Sequence, residues 1–438
     1  MPSARAATPR VRRIEIRGLF RQYHHQIDLR SEERVTILHG RNGVGKTMTL
    51  SLLHALFRGD YERFFRVPFE SFRVELSDGS FLQLLPKPKP RKERTTPNHW
   101  TLEYSLPGAS KRTAPILLAL EYSLHGAPKK NVEIEFEQLV PNSWLKRDEA
   151  EELRRSVPSE ELGLVFLYEE RDLIVLRQQL RVHFVESQRL LKLNVERVPD
   201  RDGPMFTSTM SDISEEMGKR LIEVDSAYRK KSTELDNTLP SRLFAPAPEP
   251  ISSLQALKEG IDTLAKERKR LTEMGLLADT NTPSLDPDAL DETRRTMFGV
   301  YLSDNKEKLA VFKELADRAE ILLGIVNHKF APKRIILDRE KGYHVSSHDG
   351  QTLELDMLSS GEQHELVLLH NLLFRVEPGA LLLIDEPELS LHVTWQIEFL
   401  DDLIRIAKTV GFDALVATHS PYIAGQRDDL LVSLGAPE

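Results

Sequence analysis

Val35-Thr36-Ile37-Leu38-His39-Gly40-Arg41-Asn42-Gly43-Val44-Gly45-Lys46-Thr47 is the stretch whose reading decides the fold. A short apolar run with β-branched residues, 35–38, ends in a loop of pattern GxxxxGK[ST], 40–47. Residues 47–57 follow with Leu50, Leu53 and Leu56 or Phe57 at helical spacing. Strand, glycine loop and helix in that order build an anion cradle. The glycines let the backbone N–H groups of residues 43–47 turn toward phosphate oxygens. The helix start points its positive dipole end at the same anion. Lys46 is placed to reach the outer phosphates, and Thr47 to offer an oxygen to Mg²⁺.

Three weaker signals lie near the other end of the chain. Leu381-Leu382-Leu383-Ile384-Asp385-Glu386-Pro387-Glu388 is an apolar strand ending in carboxylates. Asp385 suits a magnesium ion, and Glu386 suits the orientation and deprotonation of a water. The plain alternative is a strand whose acids cap the next helix. Leu358-Ser359-Ser360-Gly361-Glu362-Gln363 precedes a helical run. A serine and a glycine there present a hydroxyl and free N–H groups to an anion, or form an ordinary N-cap. Ala417-Thr418-His419-Ser420 sets a histidine just past a strand, where structural histidines outnumber catalytic ones.

Composition narrows the classes. The chain has 438 residues, 40% hydrophobic and 29% charged, which predicts soluble globular material in two or three domains. Apolar runs such as 116–120 and 380–384 fall far short of the ~20 residues that span a bilayer, so no membrane partner is expected. The basic N-terminus leads into no apolar segment of the kind that signals secretion. Absence of cysteine excludes disulfides, thiolate metal sites and cysteine nucleophiles, and fits a cytoplasmic location. A net charge of −8 restricts any DNA contact to a local patch.

Between the motifs, residues 12–30 read as strand, bend and strand. Residues 71–76 and 81–85 alternate around Asp78-Gly79, a hairpin signal, and 101–106, 116–124 and 132–136 read as further strands. An antiparallel β-subdomain over 69–150 is the natural reading. Residues 86–98 form a basic, proline-rich loop, and 145–163 a solvated charged stretch. Residues 181–185 read as a strand. Residues 211–330 look almost wholly helical, with apolar seams at Leu254, Leu257, Ile261, Leu264 and Leu271, and at Leu309, Phe312, Ala316, Ala319, Leu323 and Val326. Two seams joined by a turn suggest an antiparallel helical arm; ordinary helices packed on a core are the alternative. An arm of about 25 residues would reach only about 40 Å. Strands return at 334–337, 343–346, 353–355, 380–384, 414–417 and 430–432.

Phosphate loop, serine-glycine helix start, Asp-Glu strand end and strand-end histidine, in that order, resemble the ATP-binding-cassette ATPase superfamily. The resemblance maps 40–47 onto Walker A, 358–363 onto the signature motif, 383–386 onto Walker B, Ser390-Leu391-His392 onto the D-loop and His419 onto the H-loop. Gln188, after the strand 181–185, resembles the Q-loop glutamine. The likeness covers about 12–60, 180–192 and 332–434. LSSGEQ and DEPELSLH resemble the SMC/RecF-like and OLD-like branch rather than transporter cassettes. Residues 184–190 and 233–243 look like segments of Septu-type and PARIS-type anti-phage ATPases.

That resemblance implies an α/β fold: an ABC-type P-loop ATPase head, a mixed sheet flanked by helices, with an antiparallel β-subdomain and a short inserted helical arm. It implies a division into 1–68 (head, N-terminal lobe), 69–150 (β-subdomain), 151–205 (head with Q-loop), 206–330 (arm) and 331–438 (head, C-terminal lobe). It implies ATP and Mg²⁺ as cofactors. Gly40, Asn42, Gly43, Val44, Gly45, Lys46 and Thr47 would bind ATP together with Ser360 and Gly361 of a second copy. Thr47, Asp385 and Gln188 would hold the metal; Glu386, His419 and Gln188 would serve hydrolysis. The expected assembly is a head-to-tail homodimer or a higher even-numbered oligomer controlling a separate effector, a nuclease or toxin, in anti-phage defence. With 19 residues after His419, no Toprim nuclease domain is expected on this chain. The alternative is a RecF/SMC-like DNA repair or maintenance ATPase, for which the basic loop 87–94 is the candidate DNA contact.

Overall fold

In the computed structural model the described residues are 9–60, 62–86, 99–105, 112–117, 180–185, 191–194, 205–244, 254–278, 292–339, 341–347, 351–425 and 427–435. They divide into a first unit (1–186, 377–388, 411–438) and a second (187–376, 389–410).

The first unit is built on the phosphate-loop strand. That strand, β3 (Val35–His39), lies in a five-stranded sheet with β8 (Val182–Val185), β14 (Leu381–Asp385), β15 (Asp413–Ala417) and β16 (Leu431–Ser433). The order is β16-β3-β15-β14-β8, and every pair is parallel. Parallel strands are covered on both faces and so run continuously apolar; Val35, Ile37, Leu38 and Leu381 through Ile384 are all buried. Helix α1 (Lys46–Arg58) buries Leu50, Leu52, Leu53, Leu56 and Phe57 and packs on β8, β14 and β15.

The expected mixed sheet thus resolves into two. The antiparallel strands form their own six-stranded sheet: β1 (Val11–Leu19), β2 (Tyr23–Asp28), β4 (Ser71–Leu76), β5 (Phe81–Pro86), β6 (His99–Ser105) and β7 (Arg112–Leu117). Their order is β2-β1-β4-β5-β6-β7, so the N-terminal strands join the subdomain that was expected to begin at residue 69. The reason is the inward face of β1. Ile14 and Ile16 pair with Val74 and Phe72 of β4, and all four side chains are buried in one core with Leu53, Leu383 and Leu415. Phe64 of α2 (Glu62–Arg66) meets Phe72 edge to face, ring centroids 5.7 Å apart. β7 lies earlier than the expected 116–124 because its ladder with β6 runs from Arg112 to Leu117. Pro115 is tolerated there, since among the described residues β7 ends the strand order. The expected features at 118–124, 132–136, 87–98 and 145–163 lie outside the described residues.

In the second unit, β9 (Leu191–Asn194) pairs with β10 (Met205–Ser208), and α3 (Thr209–Phe244) runs 36 residues. Helices α4 (Leu254–Glu273), α5 (Glu292–Ala310) and α6 (Lys313–Lys329) follow, then β11 (Arg334–Asp338), β12 (Gly342–Ser346) and β13 (Thr352–Leu353). Last come α7 (Ser360–His370), a π-helical turn at Asn371–Arg375 and α8 (Val393–Val410). Among the described residues no helix is long and apolar enough to cross a membrane.

The apolar seams of the expected arm fall on three helices, α4, α5 and α6. The second seam is divided between two helices: Leu309 belongs to α5, whereas Ala316, Ala319 and Val326 belong to α6, which packs on α7 and α8. Lys329 of α6 is buried with Glu365 of α7 (2.6 Å) and Asp402 of α8 (2.8 Å), an ion-paired cluster inside that contact. The antiparallel partner of α5 is α3: Tyr228 meets Phe312, Lys231 meets Glu307 and Arg242 meets Asp304. α4, the helix of the first seam, packs on α5 as well, with Arg268 of α4 donating to Asn305 of α5 (3.2 Å); α3 is mostly polar, so its sequence showed no seam.

The base of α3 is locked to β12. The Ser214 hydroxyl donates to the Lys341 carbonyl (2.5 Å) and accepts from the Tyr343 N–H (3.0 Å). Gly342 has φ of 74°, and an added Cβ would stand 1.9 Å from the Ser214 carbonyl oxygen. Gly342→Ala therefore collides with backbone and is expected to destabilise the chain by about 2–4 kcal/mol. Urea unfolding checks this; a midpoint within error of wild type would contradict the packing.

Candidate functional site

Strand register brings the dispersed motifs to one edge of the parallel sheet. Leu38 of β3 pairs with Ala417 of β15, and Ala417 pairs with Asp385 of β14. The three strands therefore end level. The phosphate loop, Thr418-His419 and Glu386 all leave the sheet at the same end, where ligands of such sheets bind. β15 lies between the other two strands, which sets His419 between the lysine and the carboxylates.

The loop is shaped for backbone approach. Gly45, at φ of 97°, is the residue before α1; a Cβ there would meet Leu19 Cδ2 at 2.5 Å. His25 Nε2 donates to the Val44 carbonyl at 2.7 Å, which places the proton on Nε2. Burial holds the His25 pKa below its usual range, so the ring stays neutral there.

Lys46 is buried, and its Nζ donates to the carbonyls of Gly40 (2.8 Å) and Arg41 (3.2 Å) and to His419 Nδ1 (3.1 Å). The Thr47 hydroxyl donates to Asp385 Oδ1 at 3.1 Å. Glu386 lies just past β14 with φ of 47°, a left-handed conformation that costs a non-glycine residue about 1–3 kcal/mol. Its N–H donates to the Ala417 carbonyl (2.8 Å), and its carboxylate stands 3.6 Å from His419 Nε2. Strain of this kind persists where surrounding contacts over-determine the backbone.

The electrostatics are unbalanced in a useful direction. Burial pushes the Lys46 pKa down, against the pull of Glu386, Asp385 and Glu388. Burial pushes the Asp385 pKa up, helped by the charges of Glu386 and Glu388. Both shifts mark charges short of partners. A triphosphate with its cation supplies both: anionic oxygens for Lys46, a divalent charge for Asp385. Among the described residues no group of three or more histidines and acids is arranged to hold a metal. A hydroxyl and one carboxylate, completed by phosphate oxygens and water, fit Mg²⁺, which takes few protein ligands. Thr47 and Asp385 are the residues that would hold it.

The remaining expected site residues belong to the second unit or lie outside the description. Ser360 and Gly361 open α7, but the capping residue is Ser359. Its Oγ accepts from the Glu362 N–H (3.3 Å) while Glu362 Oε2 accepts from the Ser359 N–H (2.7 Å), a capping box. Lys333 holds Glu362 at 2.9 Å. Ser360 is thereby left exposed at the first helical position. His392 is exposed too and accepts from the Thr394 N–H at the start of α8. Gln188 lies outside the described residues. Two residues that the motif reading left without a role, His25 and Glu388, are tied into the site. His25 carried no signal, and Glu388 was visible only as one more acid after a strand.

Strand order, glycine loop and converging carboxylates define a P-loop nucleotide-binding fold. The model of the family described as "AAA domain, putative AbiEii toxin, Type IV TA system" matches residues 227–425, a span that holds Ser360, Asp385, Glu386 and His419 but not the phosphate loop. No curated protein matches the sequence. Among solved structures the chain is similar to an Smc head domain with an extended coiled coil bound to the C-terminal domain of ScpA from Pyrococcus furiosus. That match has 13% identity, 97% of this chain and 93% of that one covered, and TM-score 0.34. It is also similar to the SMC head domain from Thermotoga maritima (10% identity, 97% and 94% covered, TM-score 0.32). A third is an SmcHead bound to the C-winged helix domain of ScpA (11% identity, 97% and 94% covered, TM-score 0.34). At these scores the fold assignment rests on the chain's own topology.

Proposed function

We propose that the chain binds ATP with Mg²⁺ at the phosphate loop and hydrolyses it, as a switch that controls a separate effector. The observation that carries this is the level ending of β3, β15 and β14, which brings Lys46 to His419 (3.1 Å), His419 to Glu386 (3.6 Å) and Thr47 to Asp385 (3.1 Å). Lys46 and the loop amides bind phosphate, Thr47 and Asp385 hold the cation, Glu386 takes a proton from the attacking water, and His419 steadies the terminal phosphate. Bound Mg²⁺ neutralises charge that develops on the phosphate oxygens.

Two copies close head to tail, Ser360 and Gly361 of one facing the nucleotide of the other. The exposure of Ser360 supports this, because the capping role is taken by Ser359. Hydrolysis then opens the dimer and passes the change to the effector, a nuclease or toxin in anti-phage defence in the cytoplasm. The words "Type IV TA system" in the family description support a two-component setting. A mixing experiment tests shared sites. Lys46→Ala and Ser360→Arg chains, each inactive alone, are expected to regain ATP hydrolysis when combined, since one of the two sites is then intact. No recovery at any ratio would refute the shared site.

A further inference from the structure

The Glu388 carboxylate spans from the segment after β14 to the segment after β15. Oε1 accepts from the backbone N–H groups of His419 (2.7 Å) and Ser420 (3.2 Å), and Oε2 accepts from the Thr418 hydroxyl (2.8 Å). The Thr418 oxygen in turn accepts from the Ser420 N–H at 2.9 Å. Thr418 is fully buried and Ser420 nearly so, so these groups have little water to fall back on. Three donors of the turn that carries His419, the N–H groups of His419 and Ser420 and the Thr418 hydroxyl, are thus met by one side chain borne just past the strand end that supplies Asp385 and Glu386, while the Thr418 N–H donates to the Leu38 carbonyl.

The choice of an acid is informative. Glu388 adds negative charge beside Asp385, where it disfavours ionisation of that group. A neutral amide at the same place would spare that repulsion. An amide has a single oxygen for these donors and would present N–H groups to the Thr418 hydroxyl. Only a carboxylate accepts on both sides.

We propose that Glu388 is a positioning residue for hydrolysis, which fixes the imidazole of His419 between Lys46 Nζ and the Glu386 carboxylate by holding the backbone of residues 418–420. This rests on the reading of the site as an ATPase. Glu388 acts on the imidazole through the backbone that carries it. Loss of that hold on the turn should therefore cost little once the histidine is gone.

Steady-state ATP hydrolysis by the full chain tests this in a cycle of Glu388→Ala, His419→Ala and the double variant, with Glu388→Gln as the conservative change. Glu388→Ala is expected to lower kcat by about 10–100-fold, as loss of supporting partners commonly does, with KM moved less than about threefold. Glu388→Gln should fall between it and wild type. In the His419→Ala background Glu388→Ala should change kcat by less than about twofold, because residues acting as a unit are not additive. A full loss repeated in that background, or wild-type kinetics for Glu388→Ala, would overturn the assignment. Should wild type itself release no phosphate, the ATPase reading fails, and the positioning contact is then read by hydrogen exchange at the amides of residues 419 and 420. Faster exchange in Glu388→Ala is the expected result; unchanged exchange would overturn it.

Discussion

Glu386→Gln is expected to slow ATP hydrolysis by roughly 10²–10⁴-fold, the span that general-base catalysis supplies, while ATP binding is kept. That is ~3–5 kcal/mol of barrier at 1.36 kcal/mol per decade. The structure gives the reason for the residue's place. Register ends β14 at Asp385, so Glu386 turns off the sheet into a left-handed conformation pinned by the Ala417 carbonyl. Its carboxylate faces His419 across 3.6 Å instead of capping a helix. An amide of the same shape keeps those contacts and loses only the capacity to take a proton. Hydrolysis by Glu386→Gln at the wild-type rate would remove Glu386 from the base role and leave Asp385 or Glu388 to be tested for it.

Lys46→Ala should abolish tight ATP binding. Charge-assisted hydrogen bonds contribute about 1.5–3 kcal/mol each, so loss of the ammonium from a water-poor cradle should weaken binding by about 100-fold or more. Nζ is held by the carbonyls of Gly40 and Arg41 and by His419, and burial lowers its pKa. The lysine is held in place yet poorly compensated, a state that a phosphate relieves. Titration of a fluorescent ATP analogue checks the change. Unchanged affinity would show that the phosphate loop is not the site.

The local parts of this architecture were legible in the sequence because their determinants are local. Glycine spacing and a β-branched run specify strand, loop and helix at 35–57 without help from elsewhere. The apolar run before Asp385 gave β14 in the same way. What stayed hidden depends on contacts distant in the chain. Nothing in 413–417 says that β15 enters between β3 and β14, yet that insertion is what delivers His419 to Lys46. The pairing of β1 with β4 is likewise decided by a shared core. Three further details turn on choices among chemically equal candidates. Ser359 and Ser360 differ only in which one begins the helix, and the capping box with Glu362 decides it. Asp385, Glu386 and Glu388 are three acids in one run, separated into roles by backbone direction alone. Gln188 rests on a single residue after a strand, and no contact among the described residues bears on it.

The measurement that tests the central claim most directly is phosphate release by the purified chain in saturating ATP, with and without Mg²⁺, beside Lys46→Ala prepared identically. The account predicts turnover that needs magnesium, saturates with ATP and vanishes in the variant. No turnover by wild type, or the same rate from both proteins, would contradict it.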